Sequence, residues 1–391
     1  MAVENKMSSI ALTDHGSMFG IFKFFNTAQR AGIKPIVGSE VYVAQRSRHD
    51  KVAKMDDDQY HLVLLAKDRT GYQNLIKLVS LANTEGFYYK PRIDFELLET
   101  FHEGLIATTA CLGGQIPRLL YNKKIKEATE LAMKYEKLFG KGNYYLELQP
   151  NRMKEQEIVN KRLMQLSKDT GIPLTVATDA HYPTEQDAFT QDVLLAINTK
   201  KKIKDTDRLT MVATPDFYLW KEDQVLDFFG NSDEIKEAVA NTARISDLCN
   251  VDIMNKDWIL PVADIPSEYN KNADKYLHDL SFQRAQTRLG RELNEEESKR
   301  LDYELNIFAE KGFSSYMLMV SEFTDWMIER DIPFTTRGSA AGSFVAFATG
   351  VVNANPLNFS LNFERFLNPL RPKAPDIDLD VAASVRDELV K

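Results

Sequence analysis

Apolar positions across residues 1–182 fall into short runs separated by stretches with a helical repeat. Runs at Ser9–Thr13, Pro35–Ala44, His61–Lys67, Leu105–Thr109, Tyr144–Leu148 and Leu174–Thr178 read as strands. Between them, segments such as Gly71–Asn83 and Lys126–Phe139 repeat their apolar residues every three or four positions, as amphipathic helices do. Strands alternating with helices predict an α/β fold on a largely parallel sheet or barrel. From 183 to 260 the pattern turns mostly helical, with a short strand predicted near Phe217–Trp220 and an amphipathic helix over Ala238–Cys249. Trp258-Ile259-Leu260-Pro261 and Ile265-Pro266 then interrupt it. Two prolines among polar residues make this the best domain boundary, predicting domains at 1–262 and 263–391. Beyond Asn272 the helices are longer and richly charged, as in Leu293–Lys311 and Phe313–Glu329. A small-residue helix ending at Gly350 and a strand-like Asp376–Val381 follow.

Composition narrows the picture only a little. The 391 residues carry a formal net charge of −8, with 43% hydrophobic and 27% charged residues, which is ordinary for a globular protein. The length suits two to three domains at roughly 150 residues each. An acidic balance argues against a simple nucleic-acid-coating protein, although phosphates respond to local basic patches. Cys111 and Cys249 are far apart and form no CxxC pattern, so no disulfide framework is implied and a reducing cytoplasm is expected. The opening MAVENKMSSI has no apolar signal region, and no apolar run is long enough to cross a bilayer, so no membrane partner is expected. The sequence reaches Lys391 just after an acidic strand-like segment, so the chain is expected to be a fragment.

Two constellations carry chemistry. In the first, Asp14-His15 follow the strand SIALT, Glu40 lies in IVGSEVYVA, Cys111 follows LIATTA, and Asp179 and His181 follow PLTVAT. The carboxyl ends of parallel strands converge on one face, which would gather these side chains into one basin. His61 opens its strand and is the exception. Imidazole, carboxylate and thiolate together suit a borderline divalent ion such as Zn²⁺ or Mn²⁺, able to polarise a phosphoester and activate water. Taken singly, Asp14 equally suits a helix cap and Cys111 a small buried hydrophobe.

In the second, Arg337-Gly338-Ser339-Ala340-Ala341-Gly342-Ser343 precedes an apolar helix. Ser339 is placed to cap that helix, whose free amides would meet a phosphate with Arg337 adding a bidentate contact. The strand Asp376-Ile377-Asp378-Leu379-Asp380-Val381 turns Ile377, Leu379 and Val381 to the core and three aspartates away from it. Paired carboxylates can hold two Mg²⁺ ions for phosphoryl transfer, and an acidic edge strand that discourages sheet pairing is the plain alternative.

These residues carry a resemblance. ALTDHGSMFG, KPIVGSEVYVA, HLVLLAKDRTGYQNLIKLVS, GFYYKPRID and TDAHY resemble the PHP domain of the bacterial DNA polymerase III alpha-subunit family, and KGFSSYMLMVSEF, RGSAAGS, FERFLNP and PDIDLD resemble that family's palm. The resemblance implies a distorted (βα) barrel followed by an α+β, polymerase-beta-like palm segment. It implies that Asp376 and Asp378 are two of three catalytic aspartates binding Mg²⁺. Gly338 and Ser339 would grip the nucleotide triphosphate, helped by Arg337 and Arg365. His15, rather than Asp14, would join Glu40, His61, Cys111, Asp179 and His181 as Zn²⁺ or Mn²⁺ ligands. The implied activity is primer extension on template DNA from deoxynucleoside triphosphates, with a 3′-5′ exonuclease in the PHP domain. A sliding clamp and a proofreading subunit are the implied partners. Three features depart from the family pattern: no H-x-H strand precedes SIALT, the third catalytic aspartate that the resemblance implies is expected downstream of Lys391, and Thr335-Thr336 replace Pro-Gly before RGS. A stand-alone PHP phosphoesterase is the competing reading, but such a hydrolase has no use for RGSAAGS followed by PDIDLD. A non-catalytic scaffold for a proofreading partner is the third.

Overall fold

A computed structural model describes residues 1–254, 261–371 and 373–389. The break read at Trp258–Leu260 lies outside them. The chain divides into two compact units, Met1–Met254 and Asn255–Lys391.

The first unit is a curled α/β sheet with helices packed on it. Its strands are β1 (Ser9–Leu12), β2 (Lys34–Ala44), β3 (Gln59–Ala66), β4 (Arg92–Ile93), β5 (Leu105–Thr108), β6 (Tyr144–Leu148) and β7 (Leu174–Val176). They are ordered β1-β2-β3-β5-β6-β7, with β4 beside β2. All neighbours pair in parallel except β3, which runs antiparallel to both β2 and β5. β5 and β6 are buried along their whole length, which explains their unbroken apolar runs.

Nine helices connect and flank the strands: α1 (Ile21–Arg30), α2 (Arg69–Thr84), α3 (Phe95–Phe101), α4 (Gln115–Tyr121), α5 (Ile125–Phe139), α6 (Lys154–Thr170), α7 (Ala188–Asn198), α8 (Glu222–Phe229) and α9 (Asp233–Leu248). Their buried faces follow the helical period. α1 buries Ile21, Phe25 and Ala28; α2, capped by the Asp68 carboxylate, buries Gly71, Leu75, Leu78 and Ala82. Gly71 has no substitute, because a Cβ there would lie 1.9 Å from the Gly104 carbonyl oxygen. The strand expected near Phe217–Trp220 does not form. Phe217 accepts bonds from the His181 and Tyr182 amides and Leu219 donates to Pro183, which fixes an extended segment without a ladder.

The second unit packs α10 (Ala273–Leu289), α11 (Glu295–Glu310) and α12 (Ser314–Glu329) around an apolar centre. β8 (Phe334–Arg337) leads through a short 3₁₀ turn, Gly338–Gly342, into α13 (Phe344–Ala348). β9 (Asp378–Val381) returns antiparallel to β8, and α14 (Ala383–Leu389) follows. α13 is apolar and buried all round, as a five-residue helix inside a core must be.

Candidate functional site

β1 ends at Leu12, and the chain continues the same parallel register so that His15 stands opposite Glu40. That explains why Glu40 works from the middle of β2 rather than its end. β3 reverses direction, so its first residues lie where the parallel strands finish. His61 therefore belongs to the basin because its strand is antiparallel. Gly113 makes room for it: a Cβ at that position would sit 2.9 Å from His61 Nδ1.

The side chains converge closely. His61 Nδ1 lies 2.7 Å from Glu40 Oε1, and His15 Nδ1 lies 3.7 Å from Glu40 Oε2. Donor atoms of His15, Glu40 and His61 all lie within 4.8 Å of one another, which suits one metal ion. The Cys111 sulfur is 3.4 Å from His61 Nδ1 and 3.6 Å from Glu40 Oε1. The His181 ring centre is 6.1 Å from that of His15, and its Nδ1 is 2.7 Å from the Asp179 carbonyl oxygen, so Nε2 is the ring atom it could offer to a metal. Asp179 sits at a positive φ of 46°, a conformation aspartate tolerates better than most residues. All six residues expected as ligands thus lie in or around one basin. Tyr42 walls it, with its ring 5.2 Å from that of His61.

Electrostatics favour a cation there. Burial opposes ionisation of Glu40, yet the His61 hydrogen bond and the nearby imidazoles outweigh it and hold the carboxyl below its usual range. Burial, with Glu40 nearby, pushes Asp179 up to about 6 and the Cys111 thiol well above its ordinary value. Burial also lowers His15, against the pull of Glu40. An ionised Glu40, with Asp179 and Cys111 held back from ionising by burial, is a donor set that a divalent ion would relieve, so the residues fit the expected metal.

Glu147 was not anticipated. It projects from β6, buried, accepting from the Thr108 hydroxyl and, at 2.8 Å, from Gln149 Nε2. Burial pushes it up to about 7, with Asp179 and Glu40 adding repulsion. The signal for it in the sequence is an acid inside the otherwise apolar YYLEL.

In the second unit, β8–β9 pairing sets Arg337 opposite Asp378. Gly338 turns the chain at a φ of +84°, and a Cβ there would be 3.9 Å from Asp378 Oδ2. The alternation expected along Asp376–Val381 appears: Asp376, Asp378 and Asp380 are exposed, while Ile377, Leu379 and Val381 are half-buried. Only Asp378–Val381 form strand, because β8 ends opposite Asp378 and leaves Asp376 no ladder partner. Tyr316, another residue sequence reasoning passed over, lies beside the acids; burial and the charges of Asp376 and Asp378 raise its hydroxyl.

Two expectations for this loop require correction. Ser343, not Ser339, caps α13, accepting from the Ala346 amide at 3.0 Å. The helix-start amides are not open to a phosphate, because Glu304 accepts from Phe344 and Val345 at 2.9 and 3.0 Å. Arg337 points across the ladder to Asp380, with Nη2 2.9 Å from Oδ1. Arg365 is exposed.

The sequence profile of the PHP domain matches residues 1–151, and that of the bacterial DNA polymerase III alpha NTPase domain matches residues 275–391. The chain is 43% identical to DNA polymerase III subunit alpha of Borreliella burgdorferi, over 98% of this chain and 33% of that protein. It is 41% identical to the Treponema pallidum subunit, over 98% of this chain and 32% of the relative, and 37% identical to the Aquifex aeolicus subunit, over 100% and 35%. The chain therefore spans about a third of the length of the curated relatives it matches.

Proposed function

We propose that the chain is part of a bacterial DNA polymerase III alpha subunit and takes part in template-directed DNA synthesis. The observation that supports this most is the pairing of β8 with β9, which holds the Gly338 turn against Asp378. In this reading Asp376 and Asp378 hold Mg²⁺, and Gly338 and Ser339 receive the triphosphate of a deoxynucleotide. Bound Mg²⁺ would stabilise charge on the attacking and leaving oxygens. Arg337 and Arg365 are the cations on hand for the phosphates. The Arg337–Asp380 pair is exposed on both sides, and such pairs are weak enough to exchange for a ligand. The substrates are then primer–template DNA and deoxynucleoside triphosphates, in the cytoplasm, with a sliding clamp and a proofreading exonuclease as partners.

In the same proposal, residues 1–262 form the PHP domain and 263–391 the beginning of the palm. The PHP basin binds Zn²⁺ or Mn²⁺ through His15, Glu40, His61, Cys111, Asp179 and His181, and cleaves a phosphodiester at a DNA 3′ end. The bound ion would supply the activated water, and the chain's own part is to orient the donors and bury them. The test is Mg²⁺-dependent primer extension by the full-length protein. Asp376→Asn should lower the rate by about a thousandfold or more. Extension that survives this change refutes the assignment.

A further inference from the structure

Behind the Gly338–Ser339 turn, the start of α13 is closed by an internal acid. Glu304 is fully buried on α11. Its Oε1 accepts from the Phe344 amide and, at 2.6 Å, from Arg300 Nε; its Oε2 accepts from the Val345 amide and, at 2.7 Å, from the Ser343 hydroxyl. Arg300 reaches further, donating through Nη2 to the Gly342 carbonyl at 2.8 Å and the Leu361 carbonyl at 3.2 Å. One residue before Glu304, the Tyr303 hydroxyl donates to Glu364 at 2.7 Å. The two loops that α11 joins in this way are RGSAAGS and the FERF segment containing Arg365. They are packed so tightly that a Cβ on Gly342 would lie 2.7 Å from the Asn362 carbonyl oxygen.

We propose that Glu304, working through Arg300, is a positioning residue for nucleotide binding: it holds Ser343, Phe344 and Val345 and registers Gly338 and Ser339 against Arg365. This rests on the polymerase reading and deepens it. Glu304 already takes the Phe344 and Val345 amides, so a triphosphate is left the turn ahead of them, at Gly338 and Ser339, which take no part in the Glu304 network. Stability alone is a poor reason for such an arrangement, since well-packed apolar residues often replace a buried ion pair at no loss. What apolar residues could not supply is three fixed acceptor contacts to Ser343, Phe344 and Val345 and a guanidinium spanning to the other loop.

The experiment is steady-state primer extension by the full-length protein, comparing wild type, Glu304→Gln, Gly342→Ala and Asp376→Asn. The nucleotide KM, kcat and primer–template Kd are measured for each. Glu304→Gln turns an amide NH₂ toward groups that are all donors, and Gly342→Ala forces the two loops apart from the other side. Both should raise the nucleotide KM about tenfold or more, with kcat changed less than about threefold and primer–template Kd unchanged. A merely structural role would reduce the active fraction, lowering apparent kcat at constant KM, and that result overturns the proposal. Should Glu304→Gln fail to fold, Gly342→Ala decides alone on the same criterion. Asp376→Asn separates the two claims: if it extends primers, the polymerase reading falls. If it is inactive while Glu304→Gln and Gly342→Ala keep the wild-type KM, only the positioning role falls.

Discussion

Replacing Glu147 by Gln isolates the cost of a buried charge beneath the metal basin. Burial pushes this carboxyl from 4.5 to about 7. A folded pKa above the unfolded one means that the native state binds the extra proton between those values. Stability is therefore greatest below pH 4.5 and is lost progressively as pH rises to about 7. At about 1.4 kcal/mol per pH unit, the full loss is about 3 kcal/mol. Gln is nearly the same shape but offers one acceptor oxygen where the carboxylate offers two to Thr108 and Gln149, a deficit of about 1 kcal/mol. At pH 8 the variant should thus be about 2 kcal/mol more stable than wild type, or about 4–8 °C higher in Tm for a unit of this size. Below pH 4.5 it should be about 1 kcal/mol less stable. The assay is thermal unfolding of the 391-residue chain from pH 4 to pH 8 with a chelator present, which keeps the basin free of metal. A Tm difference that stays constant across this range, or a variant less stable at pH 8, would refute the reasoning.

Three other changes have defined outcomes. Gly86→Ala would place a Cβ 1.8 Å from the Arg92 carbonyl oxygen, so it should cost about 2–4 kcal/mol, read as a lower urea midpoint. His61→Ala removes the imidazole that touches both Glu40 and Cys111; Zn²⁺ affinity by equilibrium dialysis should fall about tenfold or more, and the chelator-dependent part of Tm should shrink. Asp380→Asn breaks only an exposed pair with Arg337, so calorimetry should find stability within about 0.5 kcal/mol of wild type.

Periodicity made most elements of this chain legible, because each helix or strand presents one face to a core. Gly71–Asn83 was expected as a helix and α2 is Arg69–Thr84; the difference is two residues at the start, where Asp68 caps the helix, and one at the end. What the sequence hid was direction and partnership. Nothing in HLVLLA states that β3 runs antiparallel, and that fact alone carries His61 from an apparent exception into contact with Glu40. Phe217–Trp220 has strand composition, but its hydrogen bonds go singly to His181, Tyr182 and Pro183, so no ladder forms. The small-residue loop suggested a phosphate at the helix start, and only the fold shows an acid from α11 already there. A trace of it was present: Glu304 sits on the apolar stripe with Leu301, Leu305 and Phe308, where a charged residue needs buried partners. Glu147 within YYLEL is the same signal in a strand. Five of the six ligand candidates stand at or near a strand end, with Glu40 in the middle of β2, and topology gathers all six in or around one basin.

The central claim is that the acidic β9 strand is the catalytic edge of a polymerase and the His15–Glu40–His61 basin is a separate site. One gel resolves both: the full-length protein with a labelled primer–template, Mg²⁺ and deoxynucleotides, run as wild type, Asp378→Asn and Glu40→Gln. Asp378→Asn should abolish extension, while Glu40→Gln should still extend the primer. Undiminished extension by Asp378→Asn, or its loss in a folded Glu40→Gln alone, would contradict the account.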